Sequence, residues 1–162
     1  MSYFTNLGKA SNIRFVLTVG LLAFFIKIPF GILGSIIVDI LHLNNPIYTA
    51  AMQEPTLTTQ DMILAVGLAP FLETIIGQII PIAFVSKFTQ SKETAIITSA
   101  LVFMALHYPV IEFFPSAFAI GLLLGWAWII KRKMGFWKAF IMISLIHSFH
   151  NVLVALTAAF FV

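Results

Sequence analysis

Five apolar runs, each near the roughly 20 residues that a helix needs to cross a bilayer, decide what this chain can fold into. In hydrocarbon every backbone N–H and C=O must find its partner within the protein, and runs of this length do so as α-helices. The longest run, Ile13 to Leu43, exceeds one upright span, yet its halves on either side of Lys27 and Pro29 are each too short. It reads as one long helix, tilted or kinked at Pro29 and stopped by Asn44, Asn45 and Pro46. A second span is expected from Met62 to about Lys87, opened by Thr58 and Asp61 as in a capping box, and a third from Lys92, capped by Ser91, to His107. The fourth is expected over Ser116 to Ile130 and the fifth from Phe136 almost to Val162. Between the first two spans, Pro46 opens a short segment whose Ile47, Tyr48, Ala51 and Met52 share a face, as in an interfacial helix.

Composition closes off the alternatives. The chain is 60% hydrophobic and 9% charged, so a soluble domain of this length could not solvate its surface. The expected fold is therefore all-α, a polytopic membrane helix bundle with about five transmembrane helices in one domain over residues 1–162. Cysteine is absent, which excludes disulfides and thiolate metal sites. A net charge of +3 does not point to nucleic acid, because the basic residues fall in alternate connections. Lys9 and Arg14, then Lys87 and Lys92, then Lys131, Arg132, Lys133 and Lys138 give the charge bias of cytoplasmic loops. The expected topology has a cytoplasmic N-terminus and an outside C-terminus, in the cell membrane, with the lipid bilayer as the surrounding partner. Lys27 and Pro29 occupy the region where a signal peptide would be cut, and no small-residue cleavage pattern is present, so the N-terminal segment is expected to be retained.

Against this apolar background, Glu73, His107, His147 and Asn151 stand out. An ionisable group in a bilayer costs roughly 2.5–3.5 kcal/mol on insertion scales, and it normally faces a protein interior or a water cavity. At about 1.5 Å of rise per residue, the four fall in one broad layer of the membrane. His147 and Asn151, four apart, share a helix face, with His150 close to it; Phe103 and His107 have the same spacing. A carboxylate can take a proton from water, a histidine can orient or protonate, and an asparagine amide can donate to a developing oxyanion. Glu73 with His107 and His147 could equally hold a divalent metal such as zinc that acidifies bound water. The plain alternative is interhelical hydrogen bonding with no chemistry. Glu112 and His42 read as interfacial, Lys27 as snorkelling or paired within the bundle, and Gly31, Gly34, Gly121 and Gly125 as sites of close helix packing.

These residues resemble the motifs of the CPBP family, the CAAX protease and bacteriocin-processing intramembrane endopeptidases, also called the ABI family. The family pattern is E-E-x-x-x-R, then F-x-x-x-H, then H-x-x-x-N or a similar small or polar ending. Here Glu73 to Gln78 stands for the first, Phe103 to His107 for the second, and His147 to Asn151 for the third, so the resemblance covers about Asp61 to Ala155. The first motif departs from the pattern, with Thr74 for the second glutamate and Gln78 for the arginine, a paired change that preserves charge balance. The resemblance implies a peptide hydrolase acting on a membrane-associated or prenylated peptide or protein. It implies Glu73 as general base, His107 as the group that binds or polarises the attacking water, and His147 with Asn151 as oxyanion donors, with or without metal. Two rivals fit the same residues: a non-catalytic immunity or scaffolding protein of the same fold, motivated by the altered first motif, and a small-solute transporter subunit.

Overall fold

The computed structural model describes residues 7, 8, 10–43 and 58–161, and these form five helical units with no strand. The expected interfacial segment at Pro46 to Met52 and the Asn44-Asn45-Pro46 stop lie outside the described residues. Helix α1, Asn12–Ile40, is one unbroken helix with Pro29 inside it, as the run lengths require. Ser11 caps it, its side chain accepting from the Arg14 N–H, and the chain leaves it through His42 at φ 50, a left-handed residue of the kind that ends helices. Ile13, Leu17, Leu21, Phe25, Ile28, Ile32, Ile36 and Ile40 recur at helical spacing and are all exposed. Such a stripe would be untenable in water and faces lipid, while Phe15, Val19 and Ala23 turn inward.

Helix α2, residues 59–85, is a continuous run in five pieces: Thr59–Ile63, a π segment Leu64–Leu68, Ala69–Glu73, a second π segment Thr74–Ile79, and Ile80–Val85. Helix α3, Lys92–Ala105, opens on Ser91, whose Oγ accepts from the Thr94 N–H at 3.1 Å. It stops two residues short of His107, because the residue before Pro109 is sterically pushed out of helical geometry and the turn begins at Leu106. A 3₁₀ turn, Ile111–Phe113, leads into α4, Phe114–Lys131, and Arg132–Met134 links α4 to α5, Phe136–Phe161.

Among the described residues four stretches are long and apolar enough to cross a membrane: Asn12–Ile40, Leu64–Val85, Ile111–Met134 and Phe136–Ala158. Helix α3, at 14 residues, rises about 21 Å and falls short of the roughly 30 Å hydrocarbon core, so of the five spans expected from sequence the third is a short helix. Helix α4 is central, touching α1, α3, α5 and the second half of α2. Glycine explains its closeness to α3. A Cβ at Gly121 would lie 2.9 Å from Ala100 Cα, and one at Gly125 2.9 Å from Ser99 Oγ. Lys131, counted above as a loop charge, is instead buried, its Nζ donating to the Gly8 carbonyl at 3.1 Å and lying 4.2 Å from the centre of the Phe15 ring.

Gly31 and Gly34 part company. Nothing lies within 4 Å of where a Gly31 Cβ would be, whereas one at Gly34 would strike the Glu112 carbonyl. Glu112 is correspondingly not a free interfacial acid: its carboxylate accepts from Ser35 Oγ and its backbone seats on α1. Gly34→Ala is therefore expected to lower stability by about 1–3 kcal/mol, the usual range for forced overpacking. Gly31→Ala should be neutral or stabilising by up to about 1 kcal/mol through helix propensity. Thermal unfolding of the two purified variants in detergent checks this; equal melting temperatures would contradict the contact.

Candidate functional site

The site is built where α2 departs from α-helical register. Each π segment ends two residues before a proline: the Ala69 N–H reaches the Leu64 carbonyl ahead of Pro70, and the Ile80 N–H reaches the Ile75 carbonyl ahead of Pro81. Proline lacks the N–H and its ring crowds the carbonyl four residues back, so a locally widened turn relieves the clash. Continuing the register of Ala69 would give position 70 the Ala65 carbonyl as its acceptor, but Pro70 cannot donate. Asn151 supplies the missing donor, its Nδ2 lying 2.8 Å from Ala65 O. This ties α5 to α2 one helical turn beyond His147.

Glu73 closes the α-helical piece between the two π segments, and its Oε2 lies 3.6 Å from His147 Nε2. The acid and an imidazole 74 positions later are thus neighbours, with His147 buried and Glu73 partly open. His107, in the turn after α3, places Nδ1 2.9 Å from the Phe103 carbonyl. A carbonyl only accepts, so Nδ1 carries the proton and Nε2 of the neutral ring is left as an acceptor. Phe103, 1% exposed, stands between the two histidines, with ring centroids 5.0 Å from His107 and 5.3 Å from His147.

A cavity of about 110 Å³ opens beside them, lined among others by Lys27, His107, His147, His150, Asn151 and Ser116. One water needs roughly 10–15 Å³ of such space, so the cavity holds water readily. Of the four candidate residues, His107, His147 and Asn151 line it; Glu73 does not and joins the group through His147. Among the described residues no group of three His, Asp or Glu side chains is arranged to hold a metal ion. Of the three expected donors, Glu73 Oε2 and His147 Nε2 approach to 3.6 Å, while the His107 ring packs on Phe103 beside His147.

The two departures from the first motif are both fully buried and neutral. Thr74 Oγ1 donates to the Pro70 carbonyl at 2.6 Å, and Gln78 Oε1 accepts from Ser99 Oγ at 3.0 Å beside Gly125. An acid and a base would have to pair in this space; the hydroxyl is satisfied locally, and the amide is held through Oε1 while its buried Nε2 makes no hydrogen bond. Sequence reading did not identify Ser99 as the partner of Gln78, nor Ser116 and Phe113 as cavity walls, and it left Lys27 without a neighbour.

Asn151→Leu, which orphans the Ala65 carbonyl, is expected to lower stability by about 0.6–2 kcal/mol. The loss should shrink in a Pro70→Ala background, where residue 70 regains its N–H. A double-mutant cycle on unfolding in detergent measures this, and equal losses in both backgrounds would show that Asn151 does not compensate for Pro70.

Fold and site together define an integral membrane helix bundle with a polar, water-sized cavity among its helices. A family model described as type II CAAX prenyl endopeptidase Rce1-like matches residues 55–153, more than half of the chain, and the chain belongs to that family. The matched region contains Glu73, His107, His147 and Asn151 and leaves out α1. No curated protein and no solved structure matches the chain.

Proposed function

We propose that the chain is an intramembrane endopeptidase that hydrolyses a peptide bond in a membrane-associated or prenylated substrate. The observation that carries this reading is the 3.6 Å approach of Glu73 to His147 beside a cavity large enough for water. Glu73 takes a proton from a water held by His107 Nε2, and the resulting hydroxide adds to the scissile carbonyl carbon. The oxygen that gains charge accepts from His147 and from the remaining N–H of the Asn151 amide. Collapse of the tetrahedral intermediate expels the amine, and Glu73 gives its proton to that nitrogen, which restores the Glu73 carboxylate. The 3.6 Å separation exceeds a direct hydrogen bond, and such contacts commonly tighten only once substrate is bound.

In the same reading the basic connections lie in the cytoplasm, so the N-terminus is cytoplasmic and the C-terminus outside the cell membrane, with the short α3 completing the crossing through its following turn. The test is turnover of a panel of lipid-anchored and transmembrane peptides by purified protein in bilayer discs, with products identified by mass spectrometry. Cleavage that persists undiminished in both the Glu73→Gln and the His147→Ala variants would overturn the assignment.

A further inference from the structure

Away from the site, a groove of about 310 Å³ lies at the end of the bundle where α2 finishes at Val85, α4 finishes at Lys131 and α5 opens at Phe136. Ile79, Ile82, Ala83, Trp128 and Phe136 give it apolar walls, and its polar groups, Ser86 and Arg132, stand at the helix ends. From Ser86 to Ile79 is seven residues of helix, so the groove descends about 10 Å from the mouth towards the hydrocarbon. Trp137, 71% exposed beside Phe136, marks the same end as headgroup level, where tryptophan concentrates.

Arg132 is fixed at the mouth by aromatic rings. Its guanidinium carbon lies 5.9 Å from the centre of the Trp128 ring and 5.7 Å from that of Phe136. Attraction to a ring face uses none of the five N–H donors. Among the described residues the recorded ion pair is Glu73 with His147, so Arg132 has no carboxylate partner. Its planar fork matches the oxygens of a phosphate. The surroundings carry the same sign. The bond from Lys131 Nζ to the Gly8 carbonyl brings the start of α1 to the end of α4, so Arg14, Lys87, Lys92, Lys133 and Lys138 share this end with Arg132. Against them, among the described residues, stands one acid, Glu93.

We propose that this groove binds one anionic phospholipid, its phosphate on Arg132 and Ser86 and one acyl chain laid along Ile82 and Ala83 towards Ile79. A soluble phosphate would engage Arg132 and leave the apolar walls beneath it unfilled. A phospholipid puts charge and chain at the depths where the protein offers a guanidinium and isoleucines. The basic surroundings favour a net negative headgroup over a zwitterionic one. Lipid binding here does not depend on peptide cleavage.

The test titrates full-length protein in detergent with phosphatidylglycerol, phosphatidylcholine or glycerol 3-phosphate. Native mass spectrometry counts bound lipids, and the rise in melting temperature gives the apparent affinity. One phosphatidylglycerol per protein is expected, bound roughly 10-fold more tightly than phosphatidylcholine, with no response to glycerol 3-phosphate. Arg132→Gln should weaken phosphatidylglycerol binding roughly 10- to 100-fold, the range of hydrogen bonds to a charged group. Lys138→Gln makes the same change in net charge and should weaken it by about 5-fold at most. Ala83→Trp fills the groove without touching the charge, and it should abolish the bound lipid while the lipid-free protein melts as its parent does. Equal losses for Arg132→Gln and Lys138→Gln would overturn the proposal in favour of a diffuse basic surface. Full binding by Ala83→Trp, or no preference for phosphatidylglycerol, would overturn it too. A response to glycerol 3-phosphate as strong as that to phosphatidylglycerol would assign Arg132 to soluble phosphate, and protein dimers in place of lipid adducts would assign the groove to a second copy; either result overturns lipid binding.

Discussion

Glu73→Gln is expected to reduce peptide turnover by roughly 10²- to 10⁴-fold, the contribution typical of a positioned general base. Glutamine keeps the shape of the side chain and its reach towards His147, which is 3.6 Å from the carboxylate in the parent. What it cannot do is accept a proton from water. The variant also removes an ionisable group from an apolar bundle, so its melting temperature in detergent should be unchanged or higher. This opposite sign is informative: a structural residue would lose stability and activity together, and a general base loses activity alone. A Glu73→Gln protein that melts well below its parent and regains turnover when stabilised would assign Glu73 to architecture.

The second large effect falls on Phe103. It is almost fully buried, its ring contacts both His107 and His147, and Gly77 and Gly121 are glycines in part because a Cβ at either would approach Phe103 to 2.8 and 3.3 Å. Phe103→Ala is expected to cost about 3–5 kcal/mol, because packed surroundings collapse only partly around the void. Phe103→Leu fills most of the space and should unfold much closer to the parent, while still losing turnover, because the flat spacer between two imidazoles is gone. Chemical unfolding in detergent and the turnover assay, run side by side, separate packing from positioning. A Phe103→Ala protein as stable as the parent would contradict the described contacts.

How much of this was legible in the sequence depended on whether the signal was local. Run length and composition require helices and carry the first one past Lys27 and Pro29, and the cap at Ser91 follows from neighbouring residues alone. The end of α3 was read two residues late because hydrophobicity continues to His107 while the backbone already responds to Pro109. The π segments were not readable: Pro70 and Pro81 announce a lost hydrogen bond, and the register that absorbs it emerges only with Asn151 in reach of Ala65. In the site, the i, i+4 spacing put His147 and Asn151 on one face, and the convergence of Glu73 with His147 followed from both being polar at similar depth. Lys27 stayed unassigned for a physical reason. A helix apolar on every side carries no pattern that says which face meets its neighbours, so the sequence cannot orient α1 about its axis. Gly31 and Gly34 show the same limit, since only contact with the Glu112 segment tells them apart.

The central claim is that water activated at Glu73 adds to a peptide carbonyl within the membrane. Incubation of purified protein in bilayer discs with a lipid-anchored peptide in H₂¹⁸O addresses it directly. The expected result is two fragments, with one ¹⁸O in the carboxylate newly formed at the cut and none when Glu73→Gln replaces the parent protein. Intact peptide after prolonged incubation with the parent, across anchored and transmembrane sequences alike, would contradict the account.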